Sequence, residues 1–496
     1  MFDFIKLLRK ETNMARTENG AASYRTTNSA CLDLFSRAGA MRNACETDIT
    51  ELFMRAYAED PDTAMKIMFY IRDIRGGIGE RRVFRAMAAW LAHFDPGAIV
   101  RNMEYIPEFG RFDDLVELAV SGCPEPSAAA SEVIKQQLEK DVAGMEQGEG
   151  ISLLAKWLPS INASSRDTRK KAAVISTSLG MDYAAYRKTL SRLRAYLRIV
   201  ENDLREENYT FEYQDLPSKA MFRYRKAFLR NDGFRYRTYL HKVESGEAKM
   251  NTDTLMPYDI VASVLKNKFG PYYVSENERM AMDIAWNRLD DFAADDNALV
   301  IIDGSASMYA YGTPLPASIA ISLGIYFAEH SKGAFAGHFM TFSENPQIVK
   351  VQGRDIFEKT FYCKSWNEVG STDIQKVFEV ILKTAVRNRM RQEDLPSTLY
   401  IISDMEFDCC TKGADVTNFE YARDLYTKCG YRLPRVVFWN VQSRTNQMPV
   451  TMNEQGVILV SGCTPRIFSM IASGAADPYE FMMKTVSSQR YACITV

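Results

Sequence analysis

The feature that most constrains this chain is the string Ala298-Leu-Val-Ile-Ile-Asp-Gly-Ser-Ala-Ser-Met308, in which an apolar run stops at a carboxylate. A short, continuous apolar run is typical of a strand that is buried on both faces of a parallel sheet. Side chains just beyond the carboxyl end of such a strand lie where open α/β sheets bind ligands. Asp303, Ser305 and Ser307 occupy that place, so we predict that their oxygens face one common ligand.

Two later segments offer further oxygen ligands. Thr372 precedes a helical pattern in the loop Gly370-Ser-Thr-Asp373, and Tyr400-Ile-Ile-Ser-Asp404 repeats the apolar strand that ends in an aspartate. Oxygen ligands with few carboxylates suit a hard cation such as Mg²⁺ or Mn²⁺. The predicted ligands of this cation are Asp303, Ser305, Ser307, Thr372 and Asp404. The alternative is a strand-end aspartate followed by serines that cap a helix.

These five residues resemble the metal-ion-dependent adhesion site of the von Willebrand factor A domain. The resemblance implies that the serines and the threonine bind the ion directly or through water. It also implies that the aspartates lie in the first or second shell and that an acidic group of a partner fills the open position. The family pattern is Asp-x-Ser-Gly-Ser, whereas this chain has Ala306 in place of the glycine and Gly304 one step earlier. Glu406, two residues past Asp404, is predicted to be a surface residue on the opposite strand face.

Length and composition indicate a protein of two or three domains outside the membrane. A chain of 496 residues is too long for a single hydrophobic core. No apolar run approaches the length of a membrane span, and no signal-peptide core follows Met1, so we expect a cytoplasmic protein. The nine cysteines include no Cys-x-x-Cys pair and the four histidines lack zinc-binding spacing, which favours free thiols.

Helical periodicity dominates the chain up to about residue 285. Apolar residues between positions 64 and 74 follow the spacing of an amphipathic helix, and Arg75-Gly-Gly-Ile-Gly-Glu-Arg81 is predicted to be a turn between antiparallel helices. A phosphate site at this glycine-rich turn is the less favoured alternative. Successive helical hairpins without strands indicate an irregular solenoid of HEAT-like repeats. The leucine spacing from Leu190 to Leu204 predicts one long helix.

Basic and aromatic residues are concentrated between Arg166 and Lys249. This stretch holds 19 Lys and Arg against 11 Asp and Glu, although the whole chain has a net charge of −2. Interleaved basic and tyrosine side chains suit a nucleic-acid backbone with unstacked bases, whereas solvated arginine faces over buried rings are the alternative. On the predicted long helix Arg187, Arg194, Arg198 and Arg205 fall close to one line. The candidate RNA-binding residues are Lys156, Arg166, Arg169, Lys170, Lys171, Arg187, Lys188, Arg194, Arg198, Arg223, Arg225, Lys226 and Arg230.

The pattern changes near residue 290 to alternating strands and helices. Strands are predicted at 299–303, 336–342, 346–351, 398–404, 435–441 and 456–461, with helices between most of them. Such alternation implies a mostly parallel, doubly wound sheet with helices on both faces. We therefore predict an all-helical domain over residues 1–288 and a von Willebrand factor A-like domain over residues 289–496.

A helical solenoid followed by such a domain resembles the TROVE architecture of the Ro autoantigen and its bacterial relatives, in which helical repeats form a ring. The chain resembles more closely the domain-of-unknown-function family 2828. The strings that carry this resemblance are Thr17-Glu-Asn-Gly-Ala21, Tyr70-Ile-Arg-Asp-Ile-Arg-Gly-Gly77, Ala155-Lys-Trp-Leu-Pro159, Tyr186-Arg-Lys-x-Leu-x-x-Leu-Arg194, Pro217-Ser-Lys-Ala220, Pro257-Tyr-Asp-Ile-Val261 and Val437-Phe-Trp-Asn440.

Two functions follow as hypotheses. The TROVE resemblance implies a ribonucleoprotein component that binds small or misfolded RNA through its basic, tyrosine-rich surface. The adhesion-site resemblance implies instead a protein-interaction module in which a partner's carboxylate completes the coordination of Mg²⁺. An enzyme is not expected, because no nucleotide loop and no nucleophile–base pair accompanies the aspartates. Neither a membrane nor sequence-specific DNA is an expected partner.

Overall fold

The computed structural model describes residues 12–266, 274–293, 297–343, 345–366, 373–408, 416–471 and 474–496. The chain forms two compact units. An α/β unit contains residues up to Ala64 together with Leu240–Ser488, and a helical unit contains Met65–Tyr239 together with Gln489–Val496. The predicted division at residue 289 does not describe these units, because the first helices of the chain pack with the sheet.

The bounds of the elements are as follows. The strands are β1 (Met14–Arg16), β2 (Ala22–Tyr24), β3 (Ala298–Asp303), β4 (His338–Phe342), β5 (Ile348–Lys350), β6 (Thr398–Ser403), β7 (Arg435–Asn440) and β8 (Val457–Ser461). The helices up to residue 205 are α1 (Ala30–Arg37), α2 (Glu46–Glu59), α3 (Pro61–Arg72), α4 (Arg81–Phe94), α5 (Pro96–Arg101), α6 (Ile106–Phe109), α7 (Phe112–Ala119), α8 (Pro124–Gln147), α9 (Leu154–Trp157), α10 (Arg166–Ser178), α11 (Tyr183–Tyr196) and α12 (Val200–Arg205). The later helices are α13 (Ser218–Asn231), α14 (Gly233–Ser245), α15 (Pro257–Leu265), α16 (Glu276–Asn287), α17 (Ser307–Ala310), α18 (Pro316–His330), α19 (Ile356–Ser365), α20 (Ile374–Asn388), α21 (Asn418–Lys428), α22 (Arg466–Ile471) and α23 (Pro478–Val486).

The α/β unit is built on a six-stranded sheet with the order β5-β4-β3-β6-β7-β8. All neighbouring strands are parallel except β4 and β5, which pair in antiparallel orientation. Each of the six strands lies within one or two residues of its predicted place, and the predicted fold class is confirmed. The two strands that end in the aspartate motifs, β3 and β6, are direct neighbours, with Ile302 opposite Ile402.

Both faces of this sheet are covered, as a continuous apolar strand requires. Leu299 and Ile301 point to one face, where they pack with α20 and α21 in one buried cluster. Val300 and Ile302 point to the other, where α18 approaches so closely that a Cβ on Gly324 would lie 2.1 Å from the Ile302 side chain. Successive side chains of a strand point to opposite faces of the sheet. This alternation determines which strand-end residues face the same side, and hence the geometry of the candidate site.

The N-terminal segment adds to the α/β unit two elements that helical periodicity did not predict. Strands β1 and β2 form a small antiparallel hairpin, and Tyr24 makes an isolated bridge to Met448. After α1, the backbone passes against β8, where the Gly39 amide donates to Ser461 Oγ over 3.0 Å. A Cβ on Gly39 would lie 2.7 Å from the backbone of Ser461, so only glycine permits this approach.

The helical unit contains the predicted glycine-rich turn between α3 and α4. Asp73 organises the turn, because its carboxylate accepts from the Arg75 amide over 2.9 Å and from Arg490 Nη2 over 2.7 Å. Tyr491 packs edge-on against Tyr70. The C-terminal residues thus belong to the core of this unit. Its HEAT-like character stays a prediction. Among the helices of the described ranges, none is both long and apolar enough to cross a membrane.

Candidate metal centre and basic surface

Asp303 ends β3 as a fully buried carboxylate whose two oxygens are both hydrogen-bonded. Its Oδ1 accepts from the backbone amide of Ser305 over 2.9 Å, which folds the following loop back over the strand end. The Ser305 and Ser307 hydroxyl oxygens lie 2.9 Å apart. The structure therefore brings together three of the five predicted ligands as one group of oxygens.

Strand register supplies a fourth residue, which sequence reasoning missed. Ser403 is the last residue of β6 and donates from its Oγ to Asp303 Oδ2 over 2.6 Å. Side chains at corresponding positions of adjacent parallel strands lie side by side, so the apolar run before Asp404 carried the signal for Ser403. Asp404 follows as a buried carboxylate that is 2% exposed.

Burial and a neighbouring like charge both act on Asp303. The loss of water around this carboxylate, together with the charge of Asp404, raises the pKa of Asp303 from its ordinary value to about 6. The hydrogen bonds from Ser403 and Ser305 act in the opposite direction and are the weaker influence. Two buried carboxylates that repel each other favour a proton or a cation between them.

The donor set fits a hard divalent cation. It consists of the carboxylates of Asp303 and Asp404 and the hydroxyls of Ser305 and Ser307. In the described parts of the chain no three His, Cys, Asp or Glu side chains converge, so a cation here relies on hydroxyls and water, which Mg²⁺ accepts. The predicted ligand Thr372 lies outside the described residues. Asp373 beside it caps α20 by accepting from the Lys376 amide over 3.1 Å.

The loop that carries Asp404 is held by the N-terminal segment. We call Thr17–Ala21 the N-terminal hook. Thr17 Oγ1 donates to the Phe407 carbonyl over 2.6 Å, and the Glu18 amide donates to Glu406 Oε2 over 2.8 Å. Glu406 is only 2% exposed, so its predicted place on the surface is wrong. Its side chain turns inward because the hook and Thr445 supply donors to both carboxylate oxygens.

Arg444 contacts Asp404, and no sequence pattern indicated this residue. Its Nη1 lies 3.3 Å from Asp404 Oδ2, its Nη2 pairs with the Glu18 carboxylate, and its guanidinium lies 5.7 Å from the centre of the Tyr311 ring. A cation of the protein itself is therefore in contact with one candidate metal ligand.

Several candidate RNA-binding residues of the helical unit have structural partners instead. Arg194 donates to Ala155 O, Leu158 O and Ser160 Oγ over 2.7–2.8 Å, so each of its three guanidinium nitrogens is hydrogen-bonded inside the unit. The side chain of Arg225 is buried and donates to Phe222 O. Three further candidates also have such partners: Lys156 pairs with Glu201, Lys171 pairs with Glu117 and Asp167, and Arg169 binds the carbonyls of Ala163 and Ser164.

The predicted long helix is broken, and this correction removes the predicted arginine line. Helix α11 ends at Tyr196 and α12 begins at Val200. Arg198, between them, has a positive φ of 45°, which no helix contains. Arg187 and Arg198 are exposed but no longer share one helical face.

A different basic face is formed by α13. This helix has five basic residues and no acidic one, and four of the five are exposed. Lys219, Arg223, Lys226 and Arg230 recur at spacings of four, three and four, which places them within roughly 60° of one another around the helix. The contacts of Arg223 and Arg230 are local, to the Tyr224 ring and the Asn231 side chain. Arg166, Lys170, Arg187 and Lys188 are exposed on other helices.

Four of the eight tyrosines of this stretch are buried, whereas Tyr183 and Tyr196 are exposed. Tyr213, Tyr236 and Tyr239 are buried and pack with Phe228 at ring-centroid distances of 5.0–6.3 Å. Tyr186 is buried too and donates to Pro159 O. The aromatic side chain that faces solvent most openly here is Phe234, which is 80% exposed and which the sequence did not single out.

The fold and the site define a protein with a helical unit and an α/β unit that carries an acidic strand-end site. The chain belongs to the family described as Domain of unknown function DUF2828, which matches residues 17–126 and 127–296. A second domain of unknown function, DUF7788, matches residues 297–489.

A curated relative and a solved structure are similar over most of the chain. An uncharacterised protein of Acanthamoeba polyphaga mimivirus is 28% identical over 501 residues, which cover 92% of this chain and 84% of that protein. The crystal structure of the Ro (RSR) protein of Deinococcus radiodurans matches 92% of this chain and 93% of that chain at 15% identity, with a TM-score of 0.37.

Proposed function

We propose that this protein binds RNA through the exposed basic face of α13. The observation that carries the proposal is the set Lys219, Arg223, Lys226 and Arg230, four cations on one side of a helix that has no acidic residue. Such a row neutralises successive phosphates and gains affinity from the counterions that it releases. The proposed activity is RNA binding without a catalytic step.

Phe234 supports a preference for unpaired RNA. It lies four residues after Arg230 and is 80% exposed. An exposed ring beside phosphate-binding cations gives a base a surface on which to stack, and stacking requires a base that is not held in a duplex. The proposed ligand is therefore single-stranded RNA or the unpaired part of a structured RNA.

Charge reversal tests the proposal. The triple variant R223E/K226E/R230E should bind a single-stranded RNA 20-mer at least a hundredfold more weakly than the wild type. The slope of log affinity against log salt should fall by about two units, because each phosphate contact with a single strand contributes about 0.7. The control is K383E/R387E/R389E, which makes the same change of charge on and after α20 in the α/β unit. Equal loss in both variants would mean that net charge alone attracts the RNA, and unchanged binding would overturn the proposal.

A second candidate function is favoured by the convergence of Asp303, Asp404 and the two serines. We propose that these side chains hold Mg²⁺ or Mn²⁺ and that an acidic group of a partner protein takes the open position on the ion. Bound Mg²⁺ would raise the melting temperature, since a ligand at a hundred times its Kd adds about 2.7 kcal/mol to the folded state.

Removal of the hydroxyls tests the metal site. The variant S305A/S307A should melt as the wild type does without Mg²⁺ and should lose the stabilisation by Mg²⁺. The control S318A/S322A removes two buried hydroxyls that donate to the carbonyls of Leu315 and Ile319, and it should keep the response to Mg²⁺. A wild-type melting temperature that is constant up to 10 mM Mg²⁺, about the range in which hydrated Mg²⁺ sites fill, would contradict this function.

A further inference from the structure

The strongest unassigned feature of the molecule is the chain of charges Glu18–Arg444–Asp404. Asp404 is buried and belongs to the candidate metal centre, whereas Glu18 belongs to the N-terminal hook, almost 400 residues earlier in the sequence. Arg444 contacts both carboxylates. Arg444 therefore contacts a candidate metal ligand and a distant segment of the chain at the same time. Such a residue can make the affinity for the metal depend on whether that segment is docked.

We propose that Arg444 is a built-in competitor of the divalent cation and that Glu18 of the hook sets the strength of this competition. The inference rests on the metal site proposed above. Arg444 Nη1 lies 3.3 Å from Asp404 Oδ2, so the guanidinium occupies one of the oxygens that a cation would use. Two cations that share one carboxylate repel each other, and the repulsion is strong because Asp404 is shielded from water.

Glu18 moderates this repulsion. Its carboxylate pairs with Nη2 of Arg444, whereas Asp404 is contacted by Nη1. A negative charge there compensates the positive charge of Arg444 and draws it away from the metal centre. Loss of the Glu18 carboxylate alone therefore leaves Arg444 free to bind Asp404 more strongly, to the disadvantage of the metal.

The hook places Glu18 by contacts that do not involve its carboxylate. The Glu18 amide donates to Glu406 Oε2 over 2.8 Å, and Asn19 Nδ2 donates to the Glu406 carbonyl over 2.8 Å. Glu406 lies two residues after Asp404, in the same loop. Attachment of the hook thereby brings the compensating charge to Arg444, and metal affinity reports whether the N-terminal segment is docked.

The proposal predicts opposite effects for its two charged residues. R444Q removes the competitor and should bind Mn²⁺ about tenfold more tightly than the wild type, whereas E18Q should bind it about threefold more weakly, as expected for screened charges a few ångströms apart. The double variant E18Q/R444Q should behave as R444Q does, because Glu18 acts only through Arg444. Opposite signs and this non-additivity separate a charge relay from general damage to the fold.

Titration with Mn²⁺, followed by the electron paramagnetic resonance signal of the free ion, tests the proposal. The control R423Q removes the ion pair between Arg423, an exposed residue of α21, and Glu454, and it should leave Mn²⁺ affinity unchanged. If R444Q does not fold, E18Q and R444K test the proposal in its place. E18Q changes a half-exposed side chain and should still bind Mn²⁺ more weakly than the wild type. R444K keeps the positive charge and should bind Mn²⁺ as the wild type does.

The outcomes distinguish the inference from the metal site on which it rests. A wild type that binds no Mn²⁺ overturns both. A wild type that binds Mn²⁺, with R444Q and E18Q equal to it or with both weaker, overturns the relay alone and leaves the metal site in place.

Discussion

The two candidate sites of this protein differ in how their residues are brought together. The candidate metal centre lies at the ends of two neighbouring parallel strands, is buried, and holds both carboxylate oxygens of Asp303 in hydrogen bonds. The basic face lies on one helix, and its four basic side chains are exposed. Neighbouring strand ends of a parallel sheet meet whatever the details of the loops, whereas a helical face exists only as far as its helix continues. Sequence patterns therefore locate the first kind of site more securely than the second.

The largest predicted effect is on stability, and it tests whether the α/β unit needs the N-terminal segment of the chain. A fragment of residues 290–496 lacks the hook, α1 and the close approach of Gly39 to β8. We expect it to show no cooperative unfolding transition, because β8 and the loop after β6 lose their cover. The measurement is circular dichroism during urea unfolding.

The control for the fragment is a single substitution in the intact chain. G39A places a Cβ 2.7 Å from the Ser461 backbone and should lower the free energy of unfolding by about 2 kcal/mol, the usual cost of overpacking a core. A fragment that unfolds cooperatively, or a G39A protein as stable as the wild type, would show that the N-terminal segment is an accessory to the sheet.

The same contrast explains which expectations held. The six strands follow from their apolar runs, and the places of Asp303 and Asp404 follow from the two runs that lead into a carboxylate; both patterns depend on neighbouring residues alone. Arg444 and the hook could not be found in this way, because their contacts with Asp404 and Glu406 join segments about 40 and 390 residues apart. No local pattern records such pairing.

The basic stretch shows the limit of helical periodicity. The leucine spacing continues through Leu197, but the backbone at Arg198 is not helical. The predicted line of arginines assumed one continuous helix and therefore does not exist in the structure. Charge counts located the basic stretch that contains α13. Charge counts could not predict that Arg194 donates to backbone carbonyls, because those contacts depend on the position of the short helix Leu154–Trp157.

A second prediction concerns pH. The pKa of Asp303 is raised by burial and by Asp404 to about 6, so the folded state favours its protonated form. The stability from this proton is fully present below the ordinary pKa of 3.8 and is lost as the pH rises through about 6. Without metal, the wild type should lose up to about 3 kcal/mol relative to D303N over this window.

The measurement is urea unfolding of the two proteins between pH 4.5 and 7.5 in a chelator. Saturating Mg²⁺ should stabilise the wild type at pH 7.5 and leave D303N unaffected, because only the ionised carboxylate binds the cation. A difference between the proteins that does not change with pH would mean that burial and the charge of Asp404 do not raise the pKa of Asp303.

The smallest effect compares two arginines of one helix. Arg187 and Arg194 both lie on α11 and both were candidates for RNA. Arg194 makes hydrogen bonds of 2.7–2.8 Å to Ala155, Leu158 and Ser160, whereas Arg187 is exposed. R194A leaves two carbonyls without their donor and should lower the free energy of unfolding by about 2 kcal/mol. R187A should change it by less than about 0.5 kcal/mol, as exposed positions do.

Both stabilities come from urea unfolding, and RNA affinity is measured in parallel at a temperature where each variant is folded. If R194A is as stable as R187A but binds RNA much more weakly, Arg194 contacts phosphate after all, and the distinction between structural and RNA-facing arginines in this unit would have to be redrawn.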